Sequence, residues 1–241
     1  MPRRSKTRSE VAVLIPAAGE GTRLGGHRKQ FRRLGGQPLL VQTLRMFETH
    51  GEVDHLLLAA PADAVAALDA ELRSSGLTKL LAVIEGGETR QASVRAALAA
   101  VPAAVEVVLV HDAVRPFLEP ERLSAVIGAV REYGAAALAI PAVDTLRKGQ
   151  GGRFGETVPR EGLLRMQTPQ GFRKDWFEAA HTQAAADGYT ATDDVDLVQR
   201  LGRPVQIVPG SPRNMKITTP GDWELAQILW EHWSPVGLVA E

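Results

Sequence analysis

The residues of this chain best suited to chemistry are cations set among glycine and alanine. Pro16-Ala17-Ala18-Gly19-Glu20-Gly21 carries little side chain, and Arg23, Arg28 and Lys29 follow it. A loop this bare lets a ligand lie directly on backbone N–H groups, which bind anions. Gly86-Gly87-Glu88 forms a second bare stretch, with Ser93 close behind. His111-Asp112-Ala113-Val114-Arg115 offers a carboxylate and another cation, and Lys216 lies near the C-terminus. The chain has 22 arginines and 6 lysines, so a lysine in a candidate site is less readily background. Backbone donors followed by cations on a glycine-containing tether suit the phosphates of a nucleoside triphosphate.

Other chemistries fail on spacing. Gly19-Glu20-Gly21 begins a dinucleotide fingerprint, but Leu24 stands where G-x-G-x-x-G needs its third glycine. The second strand candidate, Val53 to Ala60, ends without an acid for a ribose. No G-K-[ST] is present, so there is no P-loop. With no cysteine there are no disulfides, thiol nucleophiles or zinc–thiolate sites. The six histidines show no metal-binding spacing, and no serine sits in a nucleophile elbow.

Each remaining candidate has a bland reading. Asp112 could be a helix cap or a partner for Arg115, or it could contact substrate hydroxyls or a magnesium shell. Lys216 and Arg160 could be solvated surface cations. Asp193, Asp194 and Asp196 could ligate a metal, but acids in a first turn more often complement the helix dipole. A site rich in cations and poor in nucleophiles fits phosphoryl or nucleotidyl transfer, where positioning and charge stabilisation dominate.

Alternating strands and helices must position these groups. Strands are expected at Val11–Ile15 (ending at Pro16), Val53–Ala60, Leu80–Glu85, Glu106–His111, Ala135–Ile140, Leu164–Phe172 and Val205–Val208. Helices are expected at Gln37–His50, Asp63–Ser75, Glu88–Val101, Pro120–Glu132, Lys174–Ala186, Thr192–Leu201 (capped by Thr192) and from Thr219-Pro220 to about Trp233. Asn214 to Ile217 reads as a short strand or turn. The pattern is α/β, a mostly parallel sheet with helices on both faces. At about 142–163 the rhythm breaks into two short strands around Gly149-Gln150-Gly151-Gly152, an inserted β-hairpin arm. An isolated hairpin is marginal in water, so the arm is expected to rest on the sheet or on another subunit. Residues 1–10 read as a flexible tail and 11–241 as a single domain of this 241-residue chain. The formal net charge of zero gives no pull toward nucleic acid or membrane. No apolar run is long enough for a membrane span, and the tail lacks a secretory pattern, which points to the cytoplasm.

The motifs Pro16 to Arg23 with Lys29-Gln30-Phe31, Gly86 to Val94, His111 to Pro116 and Asn214 to Thr218 together resemble a known family. It is the 2-C-methyl-D-erythritol 4-phosphate cytidylyltransferase family of sugar-nucleotide-type nucleotidyltransferases, and the resemblance runs from about Val11 to Trp230. It implies a Rossmann-like sheet, CTP and a polyol phosphate as substrates, Mg²⁺ held mainly by the triphosphate with Asp112 as a possible ligand, and a homodimer formed through the arm. By matched position Pro16, Ala17, Ala18, Gly19, Gly87, Glu88, Ser93 and Ala113 would bind the nucleotide. Arg23, Lys29, Arg160 and Lys216 would act in catalysis. Asp112, Arg115, Thr145, Arg160, Thr168 and Thr192 would hold the polyol phosphate, with Thr145 and Arg160 reaching a partner's site. Arg28 departs from the family, which has proline there, and the segment from Arg23 to Lys29 is slightly short. A ribitol 5-phosphate cytidylyltransferase would share the nucleotide half. A non-catalytic nucleotide-binding regulator would have no need of Arg23, Lys29 and Lys216 together.

Overall fold

Short β-branched and alanine-rich runs become a seven-stranded sheet in the computed structural model, which describes residues 9–19 and 29–233. In chain order the elements are β1 (Glu10–Pro16), the two-residue strands β2 (Arg33–Leu34) and β3 (Gln37–Pro38), α1 (Leu39–Glu48), β4 (His55–Ala60), α2 (Val65–Ser74), β5 (Leu80–Glu85), α3 (Arg90–Ala99) and β6 (Val105–Val110). Then come α4 (Pro120–Tyr133), β7 (Ala135–Pro141), β8 (Leu146–Gln150), β9 (Arg153–Val158), β10 (Leu164–Arg173), α5 (Lys174–Ala186), α6 (Asp194–Arg200), β11 (Gln206–Pro209) and α7 (Pro220–Glu231). The strand order is β11-β7-β10-β6-β1-β4-β5, and β10 runs antiparallel to both neighbours while the other pairs are parallel.

The period of two along a strand divides the core. Val11, Val13 and Ile15 of β1 pack with α1, α2 and α4, including Leu44, Phe47, Leu72 and Val126. Ala12 and Leu14 face the opposite layer, with Val94 of α3, Phe177 of α5 and Val198 of α6. Both faces are covered, so β1 reads as an unbroken apolar run. A third cluster joins Leu34, Leu39, Val114, Phe117 and Ile217 to Trp223 and Ala226 of α7.

The topology places the site. β4 and β5 lie on one side of β1 and β6 on the other, so the chain changes direction beside β1. Ligands gather outside the carboxyl ends of strands at such a switch point. β10 adds a bulge there: between the pairs Met166↔Ala139 and Gln170↔Ala137, residues 167–169 oppose Leu138 alone. Bulges re-aim side chains next to sites, and this one carries Gln167 and Thr168.

Several boundaries differ from expectation. Pro16 stays within β1 and pairs with Ala59, because a strand-end proline need only give up one donor. Gln37 and Pro38 form β3 against β2 instead of a helical turn. Asp63 lies in a short 3-10 turn, and α2 starts at Val65. Asp193, not Thr192, caps α6: its side chain accepts the Asp196 N–H at 3.0 Å. Asn214 lies in a turn, and 215–218 have no regular structure. Glu10 belongs to β1, and residues 1–8 of the expected tail lie outside the described residues. The arm forms a two-stranded sheet of β8 and β9, with Gly151 and Gly152 at its tip at φ 56° and 74° and Phe154 89% exposed.

Thr219 caps α7 in a full capping box, accepting the Asp222 N–H while Asp222 reaches back to the Thr219 N–H. Thr219→Ala is expected to lower the unfolding free energy by about 1 kcal/mol, read from urea denaturation.

Candidate active site

The first half of the site consists of two bare turns held against each other. The Ala17 N–H donates to Ala59 O at 2.7 Å and the Gly86 N–H to Ala60 O at 2.8 Å, so both turns continue the sheet edge. A Cβ on Gly86 would lie 2.4 Å from Ala18 Cβ and 2.9 Å from Ser93 Oγ, which is why that position is glycine. Ser93 is buried; its Oγ accepts the Gly87 N–H at 3.1 Å and donates to Thr89 O at 2.9 Å. Thr89 in turn caps α3. The other edge is braced by buried Gln30, whose Nε2 donates to Ala17 O at 2.8 Å and Gly19 O at 3.3 Å. Ala17, Ala18, Gly19, Gly87 and Ser93 are thus assembled, with Pro16 ending the strand behind them. Glu88 is exposed on the second turn. Arg23 and Arg28 lie outside the described residues. So does the side chain of Lys29, whose backbone opens the 3-10 turn Lys29–Phe31.

The second half is built around Asp112, just beyond β6. Its N–H donates to Thr168 Oγ1 at 3.1 Å. Thr168 Oγ1 lies 3.1 Å from His111 Nδ1, and His111 Nε2 lies 3.0 Å from Arg115 O. A carbonyl can only accept, so Nε2 carries the proton and Nδ1 accepts from the threonine. The bulge on β10 is thereby locked to the loop after β6. The Ala113 carbonyl accepts the Thr43 hydroxyl at 3.1 Å, fixing the same loop to α1.

Three cations surround the Asp112 carboxylate. Oδ2 takes Arg115 Nε and Lys216 Nζ, each at 3.0 Å, and Oδ1 faces Arg90 Nε at 3.5 Å. Burial alone would raise the Asp112 pKa, but Lys216, Arg90 and Arg115 outweigh it and hold it far below the usual carboxylate range. Arg90 gives its shorter bond, 2.6 Å, to buried Asp194 Oδ2. Burial raises the Asp194 pKa, and Arg90 opposes that rise. Gln170 accepts the Asp194 and Val195 N–H groups and donates to Asp193 Oδ2, holding the start of α6 on the sheet. Arg115 Nη1 also donates to Asn214 O at 2.8 Å, and Asn214 Nδ2 to Thr168 O at 2.8 Å.

Three cations against Asp112 and Asp194 leave one positive charge in excess. Among these cations Lys216 alone has a side chain more than a third exposed, at 40%. The excess charge is therefore presented on Lys216, where an anionic phosphate can reach it. Thr192 is exposed just ahead of the α6 cap. Thr145 and Arg160 are exposed on the arm; Arg160 bonds the Val143 carbonyl, and no described hydrogen bond or ion pair links either residue to Asp112 within this chain. No group of three or more His, Cys, Asp or Glu side chains that could hold a metal occurs among the described residues.

Sequence reasoning missed Gln30, Arg90, Gln170 and Asp194 as site builders. Arg90 and Gln30 lie within the quoted motifs, so position could have flagged them. Asp194 does lie in the first turn of α6, as the dipole reading expects, and it is in addition buried and paired with Arg90. Nothing local marks Gln170, because its partners are 23–25 residues away.

Two buried histidines give the fold a pH dependence. Burial pushes His111 down to about 4, against opposing contributions from the Arg115 carbonyl and Asp112. Burial, aided by Arg95 and Arg90, pushes His181 down to about 4 as well. A folded pKa below the ordinary 6.5 means the native state binds fewer protons than the unfolded chain. This stability is full above pH 6.5 and is lost as pH falls toward about 4. Urea midpoints are expected to fall across that window. His181→Leu, which removes two buried ring nitrogens without partners among the described residues, should roughly halve the dependence.

Comparison with known proteins agrees with this geometry. The family model described as 2-C-methyl-D-erythritol 4-phosphate cytidylyltransferase (IspD) matches residues 11–232. A 2-C-methyl-D-erythritol 4-phosphate cytidylyltransferase from Salinibacter ruber is 57% identical over 223 residues, 92% of this chain and 94% of that protein. The crystal structure of the Thermus thermophilus enzyme of that name superposes with a TM-score of 0.78 at 38% identity, covering 92% of this chain and 99% of that one. The 4-diphosphocytidyl-2C-methyl-D-erythritol synthase structure from Anaerococcus prevotii gives a TM-score of 0.81 at 28% identity, covering 93% and 100%. The matched span takes in both bare turns, Asp112 and Lys216, and the chain belongs to the 2-C-methyl-D-erythritol 4-phosphate cytidylyltransferase family.

Proposed function

We propose that the chain transfers CMP from CTP to 2-C-methyl-D-erythritol 4-phosphate in isoprenoid precursor synthesis, releasing pyrophosphate and 4-diphosphocytidyl-2-C-methyl-D-erythritol. The observation that carries this reading is Lys216 Nζ, 3.0 Å from Asp112 Oδ2 and presented at the same sheet edge as the bare turns. CTP lies on the turns at Ala17–Gly19 and Gly86–Gly87, with Ser93 shaping the second. An oxygen of the incoming phosphate attacks the α-phosphorus in line. The bond from that phosphorus to the bridging oxygen breaks, and pyrophosphate leaves with the electron pair. Lys216 holds the two phosphates together and offsets charge that grows in the transition state. Asp112 and Arg115, with Thr168 and Thr192, hold the polyol. Arg23 and Lys29 serve the triphosphate.

Mg²⁺ fits this site as an ion carried by the triphosphate. Asp112 Oδ2 is already shared by two cations and Oδ1 faces Arg90 at 3.5 Å, so Asp112 would lend such an ion Oδ1 at most. Mg²⁺ commonly takes most of its ligands from substrate phosphates and water, and it neutralises the leaving phosphates when bound. The homodimer is the arrangement that gives the arm a support. Exposed Val143, Phe154 and Met166 on and beside it offer apolar surface to a partner, and Thr145 and Arg160 then reach the partner's site. We place the enzyme in the cytoplasm. No helix among the described residues is long and apolar enough to cross a membrane.

Pyrophosphate release with CTP, Mg²⁺ and methylerythritol phosphate is the direct test; turnover with ribitol 5-phosphate instead would overturn the substrate assignment. Lys216→Ala is expected to lower kcat/KM about 100-fold, the scale of losing one transition-state donor. Arg160→Ala should lose activity that returns in part when it is mixed with a Lys29→Ala subunit. Absence of that recovery would mean each site is built from one chain.

A further inference from the structure

One turn of α7 holds two segments of the site at once. Asp222 Oδ2 accepts the Thr218 N–H at 2.8 Å, the Thr218 hydroxyl at 2.7 Å and the Thr219 N–H at 2.8 Å. These bonds seize the chain two residues after Lys216. Between them Ile217 is fully buried in the third core cluster, and its N–H donates to Val114 O at 3.0 Å. Lys216 has little freedom to move relative to this helix.

The next residue, Trp223, grips the other segment. The Arg32 guanidinium carbon lies 4.5 Å from the centre of a Trp223 ring, within cation–π range. Leu34 is buried in the same cluster. At Gly35, φ is +57° and a Cβ would fall 1.8 Å from Trp230 Nε1, so the backbone lies directly against that indole. The segment from Arg32 to Gly35 is thus laid on α7. Two residues before it, Gln30 braces the nucleotide turn through Ala17 O and Gly19 O.

We infer that the Asp222-Trp223 turn of α7 is a positioning element for the reaction, fixing Lys216 against the Gln30-braced nucleotide turn. The route alternates contacts with short stretches of chain: Gln30 contacts the nucleotide turn, Arg32 follows it and stacks on Trp223, and the adjacent Asp222 holds Thr218, two residues after Lys216. None of the α7 residues touches the reacting groups. They act on how far the α-phosphate lies from the lysine that serves it. Small misplacements of reacting groups cost large factors in rate, so loss of this joint is read in kcat more than in CTP binding.

This inference rests on the cytidylyltransferase reading, so wild-type enzyme is assayed first; no pyrophosphate release there sinks that reading and not the joint. With turnover established, Trp223→Leu is expected to lower kcat about tenfold, with KM for CTP within about twofold. Trp223→Phe, which keeps a ring under Arg32, should recover most of the loss. In a Lys216→Ala background Trp223→Leu should cost less than about twofold, because the lysine it positions is gone. A wild-type kcat with only a lowered Tm overturns the inference, as does a full tenfold cost in the Lys216→Ala background. If Trp223→Leu does not fold, half-buried Arg32→Met removes the stacked cation instead. It should lower kcat about threefold, and an unchanged kcat there also overturns the inference.

Discussion

The Asp112 carboxylate is the constraint on which the second half of this candidate site depends. A buried ionised carboxylate is costly unless it is paired and hydrogen-bonded. Here Arg115, Lys216 and Arg90 meet that demand, and each comes from a different part of the chain. Arg115 is local, Arg90 opens α3, and Lys216 arrives from the segment before α7. Satisfying one negative charge therefore draws three elements to one point. It leaves the net positive charge that a phosphate substrate requires.

The cations are not equivalent. Arg90 is divided between Asp112 and Asp194, with the shorter contact to Asp194. Arg115 is fixed by Asp112 on one side and the Asn214 carbonyl on the other. Lys216 has Asp112 as its described anionic partner and the most exposed side chain of the three. An ammonium on a flexible stem can turn from carboxylate to phosphate without leaving a guanidinium unpaired. The buried pair of Arg90 and Asp194 ties the start of α3 to that of α6, and Gln170 completes the tie. The value of these groups is placement more than stability, since buried ion pairs often only break even against desolvation.

Sheet order then does what no local contact could. β1 lies between β6 and β4, so the first bare turn emerges beside both the Asp112 loop and the path to Gly86. The antiparallel β10 enters next to β6, and its bulge brings Thr168 to the Asp112 N–H. A parallel strand there would have presented its carboxyl end in place of its middle. His111, neutral and fully buried, joins these two strands through a single hydrogen-bonded path.

Local patterns in the sequence determined most elements. The apolar runs of β1, β4 and β6 and the alternation with helices specify a covered parallel sheet, because a strand buried on both faces has no polar period. The glycines of both turns, the Thr219-Pro220 start of α7 and the glycine-tipped arm were legible, since each is set by backbone conformation within a few residues. So were Asp112 and Lys216 as types, through the motifs that contain them. Tertiary structure alone decided which charges meet: that Arg90 serves both Asp112 and Asp194, that Gln170 rather than Thr192 organises the start of α6, and that Trp223 lies under Arg32. These pairings span tens to hundreds of residues. Their energy comes from burial and from the distance between charges, which exist only once the sheet order has brought the segments together.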